Sequence, residues 1–180
     1  MKHPFLVGEN TYIRKLEKED LKGEYFDALN DYEITKWFDT AGRFPNSLEA
    51  MEVYLDKANA DPNQIFFAVC EKESDRHIGN IHVVIDWVNR YASTGRMIWA
   101  RDTQGKGYGV ESFKLVISYL FKRLNLNRVC SGMIEGNEPA LKNWEKLGYK
   151  IEGRLRKMVW QNGEYKDVIE GGVLREEWKY

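Results

Sequence analysis

Apolar and polar positions along this 180-residue chain switch between the two-residue period of strands and the 3.6-residue period of helices, and the switches mark its elements. Tyr12-Ile13-Arg14-Lys15-Leu16 reads as a short strand. From Glu17 to Asn30, Leu21, Tyr25, Phe26 and Leu29 recur at helical spacing. A loop with Thr40-Ala41-Gly42 and Phe44-Pro45-Asn46 follows. Ser47 is then placed to cap a second helix, with Glu49 in its first turn and Met51, Tyr54 and Leu55 on its apolar side. Ile65–Cys70 and Ile78–Ile85 predict two strands joined by a polar turn, and Arg96–Ala100 predicts another. The most periodic segment follows: Val110, Phe113, Ile117, Leu120, Phe121 and Leu124 make one broad apolar face. Arg128–Ile134 predicts a strand, and Pro139 and Gly148 punctuate the start and end of a fourth helix. Two β-rich runs, Tyr149–Trp160 and Tyr165–Leu174, flank Asn162-Gly163, a strong hairpin signal. The total is about seven strands and four helices in one α/β domain spanning 1–180, a mixed sheet with helices packed on it.

Between the fourth strand and its helix lies Gln104-Gly105-Lys106-Gly107-Tyr108-Gly109, where three glycines alternate with larger residues. Glycine admits positive φ and lets a ligand come close to backbone N–H groups. With the positive end of the following helix, such amides form a cradle for a diphosphate. A dinucleotide-binding turn wants a third glycine at position 110, which is Val110, and a P-loop string is absent. An ordinary tight connection is the plainer reading.

Composition narrows the function classes. The chain is 43% hydrophobic and 31% charged with a net charge of −1, and it shows no basic stripe of the kind nucleic-acid binding needs. Cys70 and Cys130 sit in apolar runs as small hydrophobes, and His3, His77 and His82 make no metal-ligand spacing. No window approaches a membrane span, and the N-terminus lacks a signal-peptide core, so a cytoplasmic protein without membrane, metal or nucleic-acid partners is expected.

The spacing Gln104-x-x-Gly107-x-Gly109 resembles the diphosphate-binding signature of the GCN5-related N-acetyltransferase superfamily. Asn137-Glu138-Pro139-Ala140-Leu141-Lys142-Asn143-Trp144-Glu145-Lys146-Leu147-Gly148-Tyr149 is similar to that family's later asparagine-led motif. Glu152-Gly153-Arg154-Leu155-Arg156 and the hairpin look like the tail of its ribosomal-protein, polyamine and amino-sugar members. The resemblance implies the family's mostly antiparallel central sheet and an acetyl-CoA-dependent transfer to a primary amine, either of a small molecule or of a protein N-terminus. It also implies site residues. Met97, Ile98, Trp99 and Ala100 would pair with the pantetheine arm, and Gln104, Gly105, Lys106, Gly107, Tyr108 and Gly109 would hold the diphosphate. Asn137, Lys142 and Asn143 would lie along the coenzyme. The strand at Cys130–Ile134 should splay from Met97–Ala100 to leave a wedge for the thioester. A homodimer is common in the family. The alternative is a non-catalytic acyl-CoA-binding module.

Chemistry then asks for a base. Freeing a primary amine of pKa about 10.4 at pH 7 costs about 4.6 kcal/mol, whereas the departing thiolate, with a pKa of about 8.5, is far less basic. Glu135, closing the strand beside the wedge, is the first candidate; Asp86 follows and His82 is third. Many family members carry a tyrosine acid where this chain has Trp144, whose indole is not a usable acid, which leaves Tyr149, Tyr108, a water or no acid at all. A backbone N–H near Trp99 is expected to polarise the carbonyl. Trp37, Phe38, Phe44 and Trp87 are candidates for the acceptor side.

Overall fold

The structure, a computed structural model, describes residues 1–38, 40 and 42–180, so Ala41 of the predicted loop lies outside the described residues. Among these, eight strands form one sheet in the order β1-β2-β3-β4-β5-β6-β8-β7, accompanied by five α-helices. The strands are β1 (Leu6–Val7), β2 (Thr11–Lys15), β3 (Gln64–Glu71), β4 (His77–Asp86), β5 (Tyr91–Ile98), β6 (Arg128–Ile134), β7 (Lys150–Gln161) and β8 (Glu164–Leu174). The helices are α1 (Glu24–Asn30), α2 (Tyr32–Thr35), α3 (Leu48–Ala60), α4 (Tyr108–Lys122) and α5 (Glu138–Leu147). The predicted sheet of about seven strands gains the two-residue β1, too short to show a period. The predicted helix over 17–30 is broken by Gly23, at φ 66°, into a 3-10 turn and α1.

The core explains where each helix sits. Phe113, Val116, Ile117, Leu120 and Phe121 of α4 are buried against one face of the sheet. Met51, Leu55 and Ala58 of α3, with Tyr25 and Ala28 of α1, cover the other. Burying each such large side chain stabilises the fold by about 1.5–3 kcal/mol. Ser47 caps α3 by accepting the Ala50 amide at 3.2 Å, and Gly148 ends α5 in the left-handed region.

Only one junction in the sheet is parallel, that of β5 with β6, and it is short. Tyr91, Ala92 and Ser93 pair with Arg128, Val129 and Cys130, and there the pairing stops. Thr94 Oγ1 donates to the Cys130 carbonyl at 3.1 Å, and Ser131 Oγ donates to the Thr94 carbonyl at 2.8 Å, so side chains close the crotch of the fork. Beyond it β5 stays on β4 (Asn80 opposite Met97) while β6 stays on β8 (Met133 opposite Ile169).

At the far end of the sheet, Asn162 and Gly163 both take positive φ, 51° and 84°, as a two-residue hairpin turn requires. A bulge between Leu155 and Val159 bends β7, with the Lys157 amide held by Asp167 Oδ1 at 2.8 Å. The bend brings Met158 and Val159 over the open end of the fork.

Candidate active site

The fork encloses a cavity of about 300 Å³ between Gly95 and Arg96 on one strand and Ser131 to Ile134 on the other. Phe113 of α4 and Asn137, Ala140 and Trp144 of α5 roof it. Those three α5 residues share a face because they are three and four positions apart. At its mouth stands the glycine turn. Gly105 and Gly107 adopt φ of 79° and 84°, with no atom within 4 Å of where a Cβ would lie. Gly107 caps α4 without any side-chain acceptor. Among the described residues, the amides of Gly105, Gly107, Tyr108, Gly109 and Val110 donate to no protein group. Those of Gln104 and Lys106 are turned inward to the Arg101 and Thr103 carbonyls, at 3.1 and 3.3 Å. The cradle is thus the predicted loop without the amides of Gln104 and Lys106, extended to Val110. Its donor set, clustered at the positive end of a 15-residue helix, fits a diphosphate. Lys106 lies over the Tyr108 ring at 5.8 Å and forms no ion pair among the described residues.

A second cavity, about 540 Å³, lies on the opposite face of β5 under α1 and α3. Leu16, Leu21, Leu29, Met51, Leu55 and Phe66 give it an apolar wall, and Thr40, Asn46, Asn80, His82 and Arg96, which also lines the fork, supply polar groups. Gly95 lines both cavities and is the cross-strand partner of His82. Its β6 side is unpaired beyond Ser93 and nothing lies within 4 Å of its Cβ position, so the two cavities meet there at a window beside the strand.

His82 is oriented through two contacts. Gln64 Nε2 donates to Asp61 at 2.9 Å, which turns Gln64 Oε1 toward His82 Nε2, also at 2.9 Å. Since Oε1 only accepts, Nε2 carries the proton and Nδ1 is left as an acceptor. The ring stacks on Phe66 at 4.2 Å, and burial pushes its pKa below the usual 6.5, so it is neutral at pH 7.

Sequence reasoning assembled the coenzyme side better than the chemistry. The strand predicted at Arg96–Ala100 runs instead from Tyr91 to Ile98; Trp99 and Ala100 lie buried beyond its end. Trp99 cannot lend its amide to a carbonyl, because that N–H donates to Ile78 at 3.1 Å. By alternation the backbone groups of Arg96 and Ile98 face the gap. Neither first-choice carboxylate lines either cavity. Glu135 is ion-paired to Arg154 at 2.9 Å and lines a separate cleft beside Ile151 and Gly153. Asp86 closes the β4–β5 turn, accepting from the Asn89 amide and side chain, both at 2.8 Å, at the end of the sheet away from the splay. Backbone donation from Asn89 holds its pKa low. Asn137 lines the fork while its Oδ1 caps α5 through the Ala140 amide at 3.2 Å. Lys142 is exposed and Asn143 half-buried, and neither lines the fork.

Of the aromatic candidates, Trp37 and Phe38 border the fork, Phe44 is exposed and Trp87 lies in the remote turn. Trp144 is buried, stacked on Tyr149 at 5.3 Å. Tyr149's hydroxyl is buried without a partner, and desolvation pushes its pKa well up. Asn80 of β4 and Arg96 of β5 were missed, because only their cross-strand neighbours reveal which face of the sheet each occupies.

An acetyltransferase (GNAT) domain model matches residues 10–150. The chain belongs to the GNAT family. It is an N-acetyltransferase. It is 35% identical over 180 residues to a putative ribosomal N-acetyltransferase, YdaF, of Bacillus subtilis (strain 168), covering 96% of each. The spermidine N(1)-acetyltransferase of Escherichia coli (strain K12) is 29% identical over 167 residues, 92% of this chain and 87% of that one. The crystal structure of spermidine N-acetyltransferase from Vibrio cholerae in complex with CoA and spermine superposes with a TM-score of 0.85 at 25% identity, covering 93% of this chain and 97% of that one. No described helix is long and apolar enough to cross a membrane.

Proposed function

We propose that this chain transfers an acetyl group from acetyl-CoA to the primary amine of a small molecule with an apolar body, with His82 as the base. The window at Gly95 carries this reading, since it joins a fork suited to a thioester with a cavity suited to an amine. The free amides from Gly105 to Val110 would hold the diphosphate, and the gap-facing backbone of Arg96 and Ile98 would pair with the pantetheine arm. Acetyl-CoA supplies the activated acyl group. An ammonium entering the second cavity first yields one proton to solvent; the free amine then attacks the thioester carbon through the window, and the second proton its nitrogen sheds as the bond forms passes to His82 Nδ1, directly or through one water. The Ile98 amide is turned to where the carbonyl oxygen gains charge.

The apolar wall supports an acceptor with an apolar body. Among the described residues lining the second cavity there is no Asp or Glu to receive a polycation.

Thiol release from acetyl-CoA tests the proposal, with spermidine, glucosamine, phenylethylamine and a peptide N-terminus as acceptors. The aryl-alkyl amine should turn over fastest, and His82→Gln should lower its kcat about a hundredfold with acetyl-CoA affinity intact. Preference for spermidine, or an unchanged rate in the variant, would overturn the assignment.

A further inference from the structure

Arg96 is an arginine in want of an anion. It sits on β5 opposite Ile81, on the α4 side of the sheet. Its guanidinium donates to the Gly109 carbonyl and lies over the Phe113 ring at 5.0 Å. Arg14, Arg76, Arg101, Arg128 and Arg154 all reach a carboxylate; among the described residues Arg96 reaches none, and unlike Arg90, Arg123, Arg156 and Arg175, which also form no ion pair but are exposed, it is half-buried. Desolvation without a counter-ion pushes its pKa down to about 10. One carbonyl occupies one of five N–H donors, so the group keeps donors for a ligand in the fork it lines.

The reaction creates an anion in that fork. As the amine nitrogen bonds to the carbonyl carbon, the carbon–sulfur bond breaks and its electron pair leaves on sulfur as a thiolate; the amine proton goes to the base. Among the described residues lining the fork, none is fitted to protonate that sulfur. Trp144 has no acidic proton to give, and burial makes the Tyr149 phenol a weaker acid than usual.

We propose that Arg96 takes up the charge developing on the departing thiolate, so that the sulfur leaves as an anion paired to a guanidinium and not as a protonated thiol. This rests on the acetyl-CoA reading above. A fixed cation in an apolar, preorganised setting is suited to charge that appears only as the bond breaks. The arrangement also explains why Trp144 is tolerated where the family resemblance leads one to expect a tyrosine.

The product provides a test that needs no acceptor. A cation beside the sulfur lowers the pKa of the bound CoA thiol below the free value of about 8.5. Affinity for CoA must then rise with pH from the bound pKa up to the free one, whereas acetyl-CoA has no thiol to ionise. Tyr149 is the titratable group coupled to Arg96, and Cys130 lies near Tyr149; burial holds both pKa values up, clear of this window. No other titratable side chain lines the fork among the described residues.

Calorimetric titrations of CoA and acetyl-CoA between pH 6.5 and 9 should show the wild-type affinity ratio moving about tenfold toward CoA, the equivalent of one pKa unit. In Arg96→Met the ratio should stay flat, with acetyl-CoA affinity within about threefold of wild type. Arg96→Lys should retain part of the slope, and Arg96→Gln, the polar substitute should the methionine variant not fold, should be flat. Turnover in Arg96→Met should fall about a hundredfold in kcat with KM for acetyl-CoA unchanged. An equal pH slope in wild type and Arg96→Met or Arg96→Gln would overturn the role of Arg96. Failure of the wild type to bind either molecule would instead overturn the acetyl-CoA reading.

Discussion

Gly107→Ala separates the two things this residue does. The backbone there has φ 84° and ψ −1°, which costs an alanine roughly 1–2 kcal/mol. The methyl meets no atom within 4 Å, so it adds no clash, and the stiffer unfolded chain offsets about 0.4–1 kcal/mol. The net loss is therefore about 1 kcal/mol, a fall in Tm of about 2–4 °C for a chain of this size. Binding should suffer far more. The methyl projects into the open space before the free amides from Gly105 to Val110. Displacing a diphosphate from two charge-assisted bonds at about 1.5–3 kcal/mol each removes about 3–6 kcal/mol, or two to four powers of ten in affinity. Gly163→Ala is the matched control, because Gly163 has the same φ of 84° and equally empty surroundings in the hairpin turn. Thermal melts should show similar losses for both variants, and calorimetry should show acetyl-CoA binding abolished only in Gly107→Ala. Wild-type affinity in that variant, or an equal loss in the control, would refute the cradle.

Gly95→Val closes the window without backbone strain and should raise the acceptor KM at least tenfold while acetyl-CoA titrates normally; an unchanged KM would contradict the route between the cavities. Gly171→Ala places a methyl 2.5 Å from the Trp144 ring and 2.9 Å from the Lys150 carbonyl, so overpacking should destabilise the protein by about 1–3 kcal/mol in urea titrations. Stability should also depend on pH below neutrality. Burial lowers the pKa of both His77 and His82 from 6.5, so the unfolded chain takes up those protons first. Urea midpoints should be level above about pH 6.5 and fall as the pH drops from there toward the lower folded values, and replacing both histidines with glutamine should flatten the fall.

The sequence disclosed those features whose signal is local. The apolar face of α4, the Asn162-Gly163 turn and the alternating glycines announce themselves within a few residues, and the structure places each where the periodicity predicts. The start of β5 did not, because Ala92-Ser93-Thr94-Gly95 alternates small and polar residues whose burial comes from β4 and β6 on either side. The chemistry was least legible. A carboxylate at a strand end looks like a base until the fold pairs Glu135 with Arg154 and turns Asp86 onto Asn89. The Asp61-Gln64-His82 chain and the solitary Arg96 exist only through strand register, and one-residue steps along β4 and β5 send their side chains to opposite faces.

The sheet order has a consequence for how the protein is made. Strand β6 is bonded along its length only to β8, since its contact with β5 ends after three pairs. As the polypeptide emerges from the ribosome, everything up to Ile134 can condense with β6 held to β5 by three pairs while its other flank still awaits a partner. Its completing neighbour is residues 164–174, made only after everything up to Ile134. Until they arrive the nascent molecule carries an open apolar edge that invites pairing with other chains. Deletions within residues 164–174 should therefore yield insoluble material rather than a shortened but folded enzyme.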